Sequence, residues 1–166
     1  AGNRQEIQRF LDVPRYSAAE KEEILSTLRE KDFVDITCDV LFDALDSALP
    51  VKENFEEHIF REFILAPRVA DEMLLPCRKA IRELFPEGFE SPEAILSWMR
   101  ENMEEVPDWG VKEYYPSAYG CLKYCKLPAY SFDMVFVSLC RAFGFPARLH
   151  SATGEGQWLR PDGWHS

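Results

Sequence analysis

The sequence predicts an α+β protein: an N-terminal helical region, then a central buried helix, then the start of an antiparallel sheet. Three observations predict it. Residues 4–103 carry apolar side chains at helical spacing, set off by capping and breaking signals. Residues 130–143 are almost continuously apolar, as in a helix buried on most of its circumference. Residues 144–166 switch to alternation punctuated by Gly and Pro, the pattern of a strand meander.

The helical region divides at its own signals. Residues 4–12 place Ile7, Phe10 and Leu11 on one face, and Val13-Pro14 ends the helix because proline disfavours helix at the residue before it. Ser17 with Glu20 three residues on forms a capping box, opening a helix from Ala18 to about Glu30 with Ile24, Leu25 and Leu28 inward. Phe33 to Ala48 reads as one helix, with Phe33, Ile36, Val40, Leu41, Ala44 and Leu45 on its apolar face. Its other side carries Asp35, Asp39, Asp43 and Asp46. These aspartates lack a Gly-centred calcium loop and read as a solvated face.

After Pro50, residues Glu53 to Leu65 turn Phe55, Ile59, Phe60 and Phe63 inward and leave His58 among surface glutamates. Pro67 suits a helix restart. Val69, Met73, Leu74, Ile81 and Leu84 would continue the apolar face, interrupted at Pro76. Residues 85–89 are a loop. Ser91 caps the next helix, with Pro92 at its first position and Ile95, Leu96, Met99 and Met103 inward.

Residues 106–126 are poor in periodicity and hold Trp109, Tyr114, Tyr115, Tyr119 and Tyr124. A loop of this length is either functional or packed by its own side chains. Trp109, Tyr114, Tyr115 and Tyr119 therefore line a groove for a peptide or glycan, or close over the core. The division expected is 1–105, helical, and 106–166, the central helix and sheet, with no linker between them.

In the central helix Arg141 must find a partner or reach solvent. Gly144 suits a left-handed C-cap, and Pro146 prevents continuation. A first strand follows at 147–151, a Gly154-Glu155-Gly156 turn, a second strand at 157–160, a Pro161-Asp162-Gly163 hairpin turn and a third strand from Trp164.

The formal net charge of −10 argues against a nucleic-acid backbone as partner, because no basic stripe is present to displace counterions. No apolar run approaches the roughly 18 residues of a membrane span. The first ten residues are helical in character rather than a signal peptide. The five cysteines leave at least one free thiol. Cys38, Cys77 and Cys140 fit small buried hydrophobes, and Cys121 with Cys125 lacks nearby ligands for zinc. No cofactor is expected.

The run Arg141-Ala142-Phe143-Gly144-Phe145-Pro146-Ala147-Arg148 resembles the R-A-L-G-I-P-A-R signature of the transglutaminase-like superfamily, which shares the papain-like cysteine-enzyme core. Residues 131–137 (SFDMVFV), 66–74 (APRVADEML) and 162–166 (DGWHS) are similar to stretches of large secreted transglutaminase-like proteins of Bacteroides-type bacteria, in the same order. The resemblance covers about residues 64–166. It implies an extracytoplasmic setting, a cysteine nucleophile at the start of the central helix, and a histidine and an acid on the strands that follow. A helix N-terminus lowers a thiol pKa and stabilises an oxyanion, which is why the nucleophile belongs there.

In that pattern the nucleophile position is Ala129, which cannot attack a carbonyl. The chain is then a natural non-catalytic member, a variant with cysteine changed to alanine, or a register-shifted member with Cys125 as nucleophile. Cys125 lies about a turn outside the helix start. His165 is the candidate triad histidine, ahead of His150, and the acid would follow Ser166. The implied activity is cysteine-dependent amide hydrolysis or acyl transfer. The alternative is a binding or structural module belonging to a longer chain. Its unpaired sheet edge would favour self-association.

Overall fold

The computed structural model describes residues 3–107 and 117–166. It is mixed helix and strand, as expected, with two hydrophobic clusters bridged by the central helix. The first cluster lies beneath α1 (Arg4–Asp12), α2 (Ala18–Leu25), α3 (Asp32–Asp35), α4 (Cys38–Ala48) and α5 (Glu57–Phe60). Phe10, Ile24, Leu41, Leu45, Phe60 and Ile64 are fully buried there. The second lies beneath α6 (Arg78–Leu84), α7 (Pro92–Asn102), α8 (Ala118–Tyr124) and α9 (Phe132–Ala142), around Ile81, Ile95, Met99, Val135 and Leu139.

The capping box at Ser17 is formed in both directions: the Ser17 hydroxyl accepts from the Glu20 N–H, and the Glu20 carboxylate accepts from the Ser17 N–H. Ser91 likewise accepts from Ala94 N–H and starts α7 with Pro92 behind it.

Four helical expectations are corrected. The second helix stops at Leu25, not Glu30, and the next residues turn. The 33–48 helix is two helices, because Thr37 adopts an extended backbone and caps α4 through the Val40 N–H. Phe33 falls on the short first piece and is 39% exposed, whereas Phe42, not anticipated as core, is buried against Phe10. Residues 49–54 are a 3-10 turn, and α5 ends in a π-helical turn over Arg61–Leu65. Residues 67–77 are irregular rather than a restarted helix. There Glu72 folds back to accept from the Val69 and Ala70 N–H groups, a local bond that competes with helix.

Three of the four supposed solvated aspartates are also engaged. Asp43 accepts from the Arg78 and Lys79 N–H groups, capping α6 from a distant helix, while Asp46 takes Arg15 and Tyr16, and Asp35 takes Arg68.

Two small sheets complete the fold. β1 (Glu104–Glu105) pairs parallel with β2 (Lys126–Leu127). β3 (Ala147–Leu149), β4 (Gly156–Arg160) and β5 (Gly163–His165) form the expected antiparallel meander, in that order. Ala147 faces Trp158, and Trp158 faces His165, so these three share one side of the sheet. That side packs on α9, where Phe136 meets Trp158 edge-on at 5.7 Å. The other side carries Arg148 and Trp164, and Trp164 packs edge-on against Phe63 of the π turn. No helix among the described residues is long and apolar enough to cross a membrane.

Candidate functional site

The site implied by the sequence is the first turn of α9. Pro128 is buried and extended, a 3-10 turn spans Ala129–Ser131, and α9 begins at Phe132. Ala129 is exposed on that turn. Ala129, the position the resemblance assigns to the nucleophile, therefore faces solvent at the head of the buried helix.

The strand that meets this turn is β4. Gly156 N–H donates to Asp133 Oδ1 at 2.9 Å, tying the start of β4 to the first turn of α9. A Cβ at Gly156 would lie 2.8 Å from Phe136 Cδ2 and 3.4 Å from Asp133 Oδ1. The contact is built backbone to carboxylate, and a side chain there would displace the Phe136 ring.

His165 lies on the α9 side of the sheet but is committed within its own hairpin. Its Nε2 is 2.7 Å from Asp162 Oδ1, and its ring stacks on Trp158 at 6.0 Å. The bond from His165 holds the Asp162 carboxyl below its ordinary value. Asp162 precedes the histidine in the hairpin turn, whereas the resemblance puts the acid on a later strand. His150 is also occupied: its Nδ1 accepts from the Ala152 and Thr153 N–H groups and closes the β3–β4 turn.

Cys125 ends α8 in the left-handed conformation, φ 53°, with its thiol toward the Leu122 carbonyl at 3.6 Å. It lies beyond the C-terminus of one helix and outside the start of the next, not at a helix N-terminus. Burial pushes the thiols of Cys77 and Cys121 up to about 11 and raises those of Cys38 and Cys140. None of the five cysteines forms a disulfide among the described residues. Among the described residues, no group of three or more His, Cys, Asp or Glu side chains is placed to hold a metal ion.

Tyr119 is half-buried on α8 and packs against the second cluster. The expectation of an unstructured 106–126 loop is corrected by α8, which Ser117 caps through the Gly120 N–H. Trp109, Tyr114 and Tyr115 lie outside the described residues.

At the other end of α9 is an arrangement that the sequence only hinted at. Arg141 is buried, and instead of an ion pair it has three carbonyls. Its Nε donates to Ala147 O at 3.0 Å, and its Nη1 to Ala66 O at 2.9 Å and Arg68 O at 3.0 Å. Arg78, also buried, donates to the same Ala66 carbonyl at 2.9 Å. Burial, and then the neighbouring Arg78, push Arg141 down to about 9; burial, with a smaller push from Arg82, lowers Arg78 to about 10. The R-A-F-G-F-P-A-R run is thus a structural clasp: the first arginine joins α9, β3 and the turn after α5 through backbone oxygens.

No protein-family model, no curated protein and no solved structure matches this chain.

Proposed function

We propose that the chain is a non-catalytic transglutaminase-like module, a piece of a papain-like core on a helical N-terminal layer, related to cysteine acyl-transfer and amide-hydrolysing enzymes. The observation that carries the reading is the pairing of an exposed Ala129 at the start of a buried helix with a meander docked on that helix. The Arg141 clasp and the left-handed Gly144 supply the physical basis of the sequence signature on which the resemblance rests.

The chemistry of the site argues for loss of catalysis. A working site needs a thiol at the helix head and an imidazole within hydrogen-bond reach of it. Ala129 removes the first. The strand position bonded to the helix head is Gly156, and His165 is held by Asp162 and Trp158.

The test is Ala129→Cys in the full-length protein, assayed for amide hydrolysis and for alkylation rate at neutral pH. The expected result is a thiol that alkylates and no hydrolysis above the parent. Restored hydrolysis would show that the site is otherwise intact, with Ala129 its missing nucleophile, and hydrolysis by the parent would overturn the non-catalytic reading.

A further inference from the structure

A cleft of about 710 Å³ opens between the turn after α2, the π turn of α5, the irregular stretch after it, and β3. This lies within the size range of small-ligand sites, roughly 300–1,000 Å³. It lies at the opposite end of α9 from Ala129 and is independent of the function proposed above.

Its lining is cationic in a chain whose net charge is −10. Three of its cations are neutralised within the fold: Lys31 pairs with Asp71, Arg61 with Glu57, and Arg68 with Asp32 and Asp35. Three are not. Arg29 is exposed at the rim; its backbone N–H donates to Asp32 Oδ2, but its guanidinium has no carboxylate partner among the described residues. Arg148 gives its Nε to Gln157 at 3.0 Å, and its guanidinium carbon sits over Trp164, 3.9 Å from the ring centroid. Arg141 satisfies Nε and Nη1 on carbonyls, and its Nη2 has no partner among the described residues. Against these three stands Glu62, the lining carboxylate without a cation of its own among the described residues.

Arg148 on its aromatic shelf is fixed in orientation, and Arg141 is fixed by its carbonyls. Guanidiniums held in this way lose little side-chain entropy on binding, and their planar donors match the oxygens of carboxylate or phosphate. Three guanidiniums without carboxylate partners of their own offer donors to more than one anionic group.

We propose that this cleft binds a small organic polyanion, carrying two or more carboxylate or phosphate groups, through the guanidiniums of Arg29, Arg141 and Arg148.

The experiment is isothermal titration calorimetry of the full chain with citrate, with pyrophosphate, and with chloride at matched ionic strength. A saturable one-to-one isotherm is expected with citrate or pyrophosphate and none with chloride; the tighter of the two probes separates a carboxylate from a phosphate ligand. Arg29→Gln removes an exposed side chain that supports nothing in the fold, and should weaken binding about tenfold, the worth of one charge-assisted hydrogen bond. Arg148→Gln should weaken it at least as much, while Lys79→Gln, on exposed α6 outside the cleft, should leave it unchanged. An unchanged thermal midpoint in Arg29→Gln shows that the loss is not unfolding. The absence of a saturable isotherm with both probes, or equal affinity in Arg29→Gln and the parent, overturns the proposal.

Discussion

Gly144 shows how a single residue position fixes the meeting of α9 and the sheet. Its φ is 80°, in the left-handed region that L side chains rarely adopt, and a Cβ there would lie 3.0 Å from Val51 Cγ1. Gly144→Ala should destabilise the fold by about 1–2 kcal/mol from the backbone alone, and by more from the overlap with Val51. Urea unfolding reads the loss, and Val51→Ala in the same background should return the overlap part but not the backbone part. Equal midpoints for Gly144→Ala and the parent would remove the turn as a determinant. This glycine was legible in the sequence because its signal is local: an apolar helix, then Gly-Phe-Pro. The role of Arg141, seven residues before Arg148, was half legible. The sequence demanded a partner for a buried guanidinium, yet carbonyls 73 and 75 residues away carry no signature in the chain.

At the scale of elements, α7 and β4 are locked by Glu93. Its Oε1 accepts from Trp158 Nε1 at 2.9 Å and from Arg160 Nη1. Burial raises the Glu93 carboxyl, but its own backbone N–H at the helix start, Trp158 and Arg160 together outweigh burial and hold it below its ordinary value. A depressed folded-state pKa means that the contribution is complete above the unfolded carboxylate value and is lost as pH falls through the folded one. Glu93→Ala should therefore cost about 1 kcal/mol near neutrality, with the difference from the parent vanishing in acid. The side chain is partly exposed, so salt should reduce the effect. Trp158 fluorescence against denaturant at several pH values measures this; a deficit independent of pH would refute it. Elements with complete local signals, such as α1, α7, α9 and the meander, were readable in advance. α8 was not: it is seven residues, carries Gly120 in its middle, and is held by Cys121 and Leu122 in the second cluster. The 67–77 stretch failed in the opposite direction, since its apolar spacing imitates a helix while Glu72 takes the N–H groups that a helix would use.

For the whole molecule, the two hydrophobic clusters divide the chain elsewhere than at residue 105. Leu74 belongs with the first cluster, whereas Ile81, Ile95 and Met99 pack with α9 in the second. α6 and α7 therefore depend on residues beyond 105 for their buried partners. α6 is anchored to the first cluster at its beginning, through Asp43 at the Arg78 and Lys79 N–H groups and through Arg78 to Ala66 O and Ser47 Oγ. A chain cut after residue 105 should keep α1 to α5 and lose α6 and α7. Each short helix then has neither the length to persist alone in water nor a surface to cover its apolar side. Hydrogen exchange reads the two outcomes separately. Amides of 38–48 should stay protected in the 1–105 piece, while those of 78–84 and 92–102 should exchange as in an unfolded chain. Protection of 92–102 without the central helix would show that the N-terminal region is self-sufficient to residue 105. Its loss would place the working boundary in the irregular 67–77 stretch, where the Ala66 and Arg68 carbonyls meet Arg141 and the two clusters are fastened together.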